Sequence, residues 1–299
     1  MTIRAETCTL VVAHFGDPEV AMRLVVSASC QLIHQVIVVD DCSPIPFPET
    51  DGVTVIRREV NGGFGAAVNT GAHAATGDLL MILNSDLEIG PTFVSDFLEA
   101  SAPFQPAVTG PAVLDRAGDT AYTGRHFPTV GHQTTEWLTP LARFRDRPGL
   151  HEAVGHDTRA VPGATVAVDW LVGAALLIPR AAFLEVGGFD ESFHMNSEEI
   201  DLQRRLRAHG LPSVFVGTVS VVHEGGASSD PALRRRWLVD SRFTYAEKWG
   251  GVRRLRTALR AATAVNLAAN VARRAAGNSA ARPLVTAREE WSLTTGGRR

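Results

Sequence analysis

The chain has 299 residues, 45% of them hydrophobic and 20% charged, and a formal net charge of −3. That length suits one large domain or two small ones with an ordinary globular core, and the mild acidity excludes a general nucleic-acid binder. Lys248 is the only lysine, so no Gly-Lys-Ser/Thr phosphate loop exists and no Schiff-base lysine is available outside that one late position.

The run CTLVVAHF at 8–15 is too short for a signal-peptide apolar region with a cleavage site and reads as a first strand. Helix-compatible spacing follows over 18–30, then strands at QVIVVDD (35–41) and VTVIRRE (53–59). The small, Ala-rich GFGAAVNTGAHAATG (63–77) reads as a helix closed by Gly77. DLLMILNSD (78–86) is a further strand and TFVSDFLEASA (92–102) a further helix. Strands alternating with helices predict an α/β fold with a mostly parallel central sheet, whose ligands sit outside the carboxyl ends of the strands. Order weakens over 114–168, where Arg125, His126, Trp137, Arg143 and Arg145 are scattered. An irregular stretch of that length is either a functional segment that could hold acceptor phosphates or sugars, or a mobile surface loop. VDWLVGAALLIPRAAFLEVGGFDESF (168–193) resumes with a buried run, a Pro-Arg break, a short helix and a Gly-Gly turn. SEEIDLQRRLRAHG (197–210) is an amphipathic helix capped by Ser197 or Asn196 and stopped by Gly210, and PSVFVGTVSVVHEGG (212–226) is strand-like to His223.

After Gly250 the chain turns Arg- and Ala-rich. Val252, Leu255, Leu259 and Ala262 share one helical face and Arg253, Arg256 and Arg260 another, a pattern lost after about Val265. Such a helix either lies on an anionic bilayer or packs on the protein with its arginines in solvent. No apolar run approaches the roughly 20 residues of a spanning helix, so any membrane contact is expected to be peripheral. Cys8, Cys30 and Cys42 lack metal-ligand spacing and read as buried, reduced thiols. The expected division is a catalytic domain over 1–250 and a helical extension over 251–299.

Four clusters could carry chemistry, each with a plainer reading beside it. Asn84-Ser85-Asp86 ends a strand where a carboxylate could hold Mg²⁺ or Mn²⁺, or could simply make a turn. Asp40-Asp41 could accept bonds from a nucleoside, or lead into the turn before Pro44. Asn61-Gly62-Gly63-Phe64-Gly65 with Asn69 is a glycine-rich entry to a helix without dinucleotide-fold spacing, so a nicotinamide cofactor is unsupported. Glu198, Glu199 and Asp201 crowd a helix start, where acids complement the dipole by about 0.3–1 kcal/mol each or, as clustered like charges, poise a general base. His223 could complete a metal shell, while the other histidines are dispersed and show no zinc spacing.

In this order, VVDDCS, NGGFGAAVNTG, ILNSD, WLVGAALLIPRAAFLEVGGFDESF with SEEIDLQRRLRAHG, and VVHEGG together resemble family 2 inverting glycosyltransferases of the GT-A fold. The resemblance covers about 10–226, is most specific over 170–210, and is nearest to bacterial rhamnosyltransferases acting on polyprenyl-diphosphate-linked sugars. It implies that Asp86 ligates Mg²⁺ or Mn²⁺ at the donor diphosphate, with Asn84 and Ser85 on the donor and His223 as a further metal ligand. It implies nucleoside contacts by Asp40, Asp41 and the backbone of Ala13, and donor contacts by Asn61, Gly65 and Asn69. It implies a catalytic base at Glu199, where the family usually has Asp. The added methylene moves the carboxylate by about 1.5 Å, so Glu198 and Asp201 stand as alternatives. The implied partners are a nucleotide-sugar donor, dTDP- or UDP-linked, and a glycan or lipid-linked acceptor, in the cytoplasm or at the inner face of the plasma membrane. A nucleotidyltransferase would need basic residues after Val12, and a phosphoryl-receiver module a lysine better placed than Lys248. A non-catalytic sugar-nucleotide binder is the remaining alternative, motivated by the Glu at 199.

Overall fold

The computed structural model describes residues 6–29, 33–144, 147–223 and 231–295. In chain order the elements are β1 (Cys8–His14), α1 (Pro18–Ser29), β2 (Gln35–Asp40), β3 (Val53–Arg57), α2 (Phe64–Ala74), β4 (Leu79–Asn84), β5 (Leu87–Glu88), α3 (Phe93–Ser101), β6 (Val108–Leu114) and β7 (Gly124–Arg125). They continue with α4 (Val130–Trp137), α5 (Pro148–Ala153), β8 (Thr165–Val168), β9 (Trp170–Leu171), β10 (Ala175–Pro179), α6 (Arg180–Glu185), α7 (Glu198–Ala208), β11 (Ser213–His223), α8 (Pro231–Trp249), α9 (Val252–Ala275) and α10 (Pro283–Thr294). The chain divides into two compact units, Met1–Arg125 with Arg159–Ser229, and His126–Thr158 with Asp230–Arg299. This differs from a division at 250/251, because the irregular middle of the chain belongs with the tail.

The first unit is built on a mixed sheet in the order β3-β2-β1-β4-β10-β6-β11-β5, with β8 on β11. Pairing is parallel across β3, β2, β1 and β4 and antiparallel on both sides of β10. The central strands read as nearly unbroken apolar runs because both faces are covered. Alternate residues feed opposite layers: Leu10, Val12, Val36, Val38, Met81 and Leu83 pack with α1 and α3. Val11, Ile37, Val39, Leu80 and Ile82 pack with α2, Phe183 and Leu202. Gly71 lets α2 close on β1, since a Cβ there would fall 2.5 Å from Val11 Cγ1. The helix ends at Ala74 rather than at Gly77. Gly77 is needed for packing instead, with its N–H on Thr9 Oγ1 at 2.9 Å and no room for a Cβ against the Thr9 backbone. Cys8 is buried, and burial pushes its thiol up to about 12; Cys42 is only half-buried, and Cys30 lies outside the described residues.

The second unit packs α4, α8, α9 and α10 around Trp137, Val239, Phe243, Leu255 and Leu259. Helix α9 runs to Ala275, past the point where its apolar pattern fades. The fading has a cause: the buried face continues as Thr263, Asn266 and Asn270, polar residues that satisfy one another's neighbours. Asn266 Nδ2 donates to Trp137 O at 2.9 Å and to the Glu290 carboxylate at 3.1 Å, its Oδ1 accepts from Thr139 N at 2.9 Å, and Trp137 Nε1 donates to Thr263 Oγ1 at 2.9 Å. Arg256 lies over Phe243 and Arg260 over Trp291, and the stripe of Leu255, Leu259 and Ala262 is buried. That stripe is therefore a core face of the unit, not a free membrane-facing one. Among the described residues no helix is long and apolar enough to cross a membrane.

Candidate active site

Three strand ends lie side by side at the carboxyl edge of the parallel half-sheet. Ala13 is in register with both Val39 and Asn84, and His14 with Asp40. Asp40 and Asp41, read from sequence as nucleoside contacts, are turned inward at 1% and 3% exposure. Asp40 accepts from Ser43 N at 2.8 Å and Phe47 N at 3.0 Å and pairs with Arg57. Burial pushes its pKa up, but these bonds outweigh it and hold the carboxyl below the usual range. Asp41 accepts from Gly62 N at 3.1 Å and Gly63 N at 2.8 Å and meets Arg58 Nε at 2.9 Å. Both carboxylates are thus loop anchors with their oxygens committed. Gly63 has φ +85°, and a Cβ there would fall 2.1 Å from His194 O, so this loop tolerates only glycine. His14 went unnoticed in the sequence. Its ring is buried against Phe47, burial lowers its pKa, and neither ring nitrogen has a hydrogen-bond partner among the described residues.

The donor contacts expected of Gly65 and Asn69 also give way to structural ones. Asn69 accepts from Phe189 N at 2.8 Å and donates to Phe189 O at 2.9 Å and Glu191 Oε1 at 3.0 Å. A Cβ on Gly65 would meet Phe189 Cβ at 3.0 Å and Glu198 Cβ at 3.9 Å. Together they fasten α2 to the turn that delivers α7. Asn61 is exposed at the loop surface.

Asn196 precedes Ser197, which stands at the N-cap of α7 and makes no side-chain cap bond. Both residues are left-handed, at φ +70° and +68°, a conformation that costs about 1–2 kcal/mol per non-glycine residue. Such strain is held only where the surroundings impose it, commonly at functional sites. It brings two acids to the start of α7. Glu198 is buried, and its pKa is pushed up to about 8 by burial and then by the charge of Glu199. Glu199 is half-buried and is also raised by burial, with backbone amides and the Arg125 guanidinium pulling the other way. Its Oε2 has no hydrogen-bond partner among the described residues. Arg125 is held over Trp170 and bonded to Tyr122 O at 3.0 Å.

A carboxyl whose folded pKa is raised favours folding below its unfolded value and loses that contribution as pH climbs through the folded one. For Glu198 the window runs from about 4.5 to about 8. Glu198→Gln is expected to flatten the fall of stability across that window and raise the melting temperature at pH 8–9. Melting curves at several pH values check this; parallel curves for the two proteins would refute it.

Asp201 is not an alternative base. It is fully buried and bound to Arg205 Nε at 2.8 Å, and Arg205 in turn donates to Val186 O at 2.6 Å and Gly188 O at 2.7 Å. The pair ties α7 to the Gly-Gly turn. Asp201→Ala is expected to destabilise the fold by about 3–5 kcal/mol, read as a lower denaturant midpoint, without a change in the pH profile of whatever activity survives.

Asp86 and His223, 137 residues apart, meet at 3.0 Å between Oδ1 and Nε2. β5 pairs with β11, Leu87 opposite His223, which fixes that approach. One short segment joins this pair's strand to the acids. Asn84 N donates to Ala174 O at 2.9 Å, and a Cβ on the adjoining Gly173 would sit 3.4 Å from Glu199 Cβ. Gln203 clamps the same region by bonding both Leu171 N at 2.8 Å and Leu171 O at 2.7 Å.

The model of glycosyl transferase family 2 matches residues 10–158. The chain belongs to glycosyltransferase family 2. It is 29% identical over 205 residues to the N-acetylglucosaminyl-diphospho-decaprenol L-rhamnosyltransferase of Mycobacterium tuberculosis, covering 60% of this chain and 62% of that one. It is 31% identical over 166 residues to the validoxylamine A glucosyltransferase of Streptomyces hygroscopicus, covering 53% of this chain and 38% of that one. The fold is similar to that of a Pyrobaculum calidifontis mannosyltransferase solved with GDP-Man and Mn²⁺, at a TM-score of 0.60 and 16% identity over 98% of this chain and 85% of that one. The chain thus spans a little under two thirds of the length of the mycobacterial relative.

Asp86 and His223 are two side chains at this strand edge that could hold a divalent ion. One carboxylate oxygen and one imidazole nitrogen converge, each side chain about 30% exposed, and this mixed donor set leaves positions open for phosphate oxygens. The family match ends before Glu198, Glu199 and His223, so those assignments rest on the geometry above. Of the residues expected to meet an acceptor, Trp137 is buried in the second unit, Arg143 stacks on Phe144, and Arg145 lies outside the described residues.

Proposed function

We propose that this chain transfers a sugar from a nucleoside-diphosphate donor to an acceptor hydroxyl with inversion at the anomeric carbon. The observation that carries this reading is the Gly173–Ala174 junction, which sets the carboxylate of Glu199 beside the strand ending on Asn84-Ser85-Asp86. Asp86 and His223 would hold Mn²⁺, or less readily Mg²⁺ because of the imidazole ligand, whose charge would neutralise a departing diphosphate. The loops anchored by Asp40 and Asp41 form the nucleoside side, with the Ala13 backbone at the strand edge and Asn84 and Ser85 toward the donor. Glu199, with one oxygen unpartnered, takes the proton from the acceptor hydroxyl as its oxygen bonds the anomeric carbon. The bond from that carbon to the diphosphate breaks in the same displacement, and the nucleoside diphosphate leaves with the electron pair.

Similarity to the mycobacterial enzyme favours an L-rhamnosyl donor, dTDP-linked, and a diphospho-polyprenol-linked acceptor, with the chain held peripherally at the inner membrane face. Purified protein incubated with dTDP-, UDP- and GDP-sugars and Mn²⁺, with release of nucleotide followed, tests the reading. Release with one donor class, accelerated by an N-acetylglucosaminyl-diphospho-polyprenol acceptor, is the expected result. Binding without release in the presence of acceptor would leave a sugar-nucleotide binder; neither binding nor release would sink the reading altogether.

A further inference from the structure

Four of the ten histidines, His126, His132, His151 and His156, fall in the segment His126–Thr158 of the second unit. His126, Glu152 and Asp157 each offer one ligand atom, all within 4.8 Å of one another. His126 Nε2 stands 3.0 Å from Glu152 Oε2. The other oxygen of Glu152 accepts from Thr158 N at 2.8 Å and Thr158 Oγ1 at 2.5 Å, so the carboxylate is aimed by a neighbour, as ligating carboxylates are. Main-chain bonds fold the same stretch onto His126: His126 N donates to Gly155 O at 2.9 Å and His156 N to His151 O at 3.0 Å. Asp157 is fully buried.

Donor chemistry is the reason to look further. Two carboxylates and an imidazole offer their ligand atoms to one partly buried point, the mixed oxygen–nitrogen donor set that first-row divalent ions take. We propose that His126, Glu152 and Asp157 bind a divalent transition-metal ion of the zinc class, at a site distinct from Asp86 and His223. Ligands at about 2.0–2.1 Å on a tetrahedral ion stand roughly 3.4 Å apart, within the span these three atoms already have. An imidazole among the ligands disfavours Mg²⁺ and Ca²⁺ and suits zinc. The fourth position falls to water or to His132, whose ring centroid lies 6.3 Å from that of His126. Bound there, the ion clips the start of the 126–158 segment to its end. The sequence gives no motif for it because the ligands are separated by 26 and 5 residues, a spacing that only the local fold closes.

The test uses the full chain carrying Asp86→Ala and His223→Ala, which removes the other candidate site. After chelation and reloading with Zn²⁺ in millimolar Mg²⁺, desalted protein is expected to retain one equivalent of zinc by elemental analysis. Co²⁺ in place of Zn²⁺ should give the visible absorption of a low-coordinate site, and zinc should raise the melting temperature by several degrees. Adding His126→Ala, or separately Glu152→Gln, should abolish all three signals. The chelated proteins should melt together, which shows that the variants fold; if one does not, the other decides. Retention of no zinc by the parent, or of equal zinc by both ligand variants, overturns the proposal and leaves an ion-paired cluster.

Discussion

Glu199→Gln is expected to reduce turnover by roughly 10²–10⁴-fold while donor affinity stays within a few-fold of the parent, because a general base contributes on that scale and the amide keeps the shape. Single-turnover rates and donor binding by calorimetry separate the two effects. The environment of Glu199 makes a sharper statement available. Burial raises it, and the acid beside it, Glu198, stands at about 8. The two protons therefore leave in coupled steps that belong to the pair. Activity should rise with pH along an acid limb displaced upward from ordinary glutamate. Glu199→Asp restores the residue type usual in the family but withdraws the carboxylate by about 1.5 Å, a misplacement that can cost about 10²-fold. Here it should lower turnover, since the shorter side chain draws the carboxylate back from where the glutamate holds it. If Glu199→Gln turns over normally, the base is not this residue, and Glu198 is next to be tried.

Strand periodicity made the first half of the sheet legible. Leu10 to Val12, Val36 to Val39 and Leu80 to Leu83 are apolar on both faces because α1, α2 and α3 cover both. What the sequence concealed are side chains whose partners lie far along the chain. Asn69 reads as a helix-start polar residue, yet its three bonds go to Phe189 and Glu191. Asp40 and Asp41 look like open carboxylates, and backbone amides of the loops that follow consume them. The tail admitted a bilayer reading because its apolar and arginine faces are opposed, and its burial was hidden because the core face continues through the polar Thr263, Asn266 and Asn270. Helix α8 offered no dominant apolar face to read, although Val239, Phe243 and Ala246 reach the core of the second unit. The Asp86–His223 meeting was readable only through family resemblance, since no local pattern links residues 137 apart.

Asp86→Ala is expected to lower Mn²⁺-dependent donor affinity by about 10–100-fold, the order lost when a metal's supporting groups are altered, and to leave metal-free donor binding unchanged. The contrast with stability is what gives the experiment force. Asp86 and His223 are each about one-third exposed, and an ion pair in that setting contributes only about 0–1 kcal/mol to folding. Removing either partner should therefore barely move the melting temperature in chelator. A pair kept for stability would show the opposite pattern: a measurable loss of stability and no change in metal dependence. The double variant with His223→Ala extends the argument. If both side chains meet one ion, the second substitution should cost less than the first, giving a coupling of about 0.5–3 kcal/mol in donor binding that vanishes when Mn²⁺ is withheld. Additive effects, or a coupling indifferent to the metal, would separate His223 from the cradle and leave Asp86 to act alone. The register of β5 against β11 makes additivity the less expected outcome, because Leu87 opposite His223 holds the neighbouring carboxylate within hydrogen-bond distance of the ring.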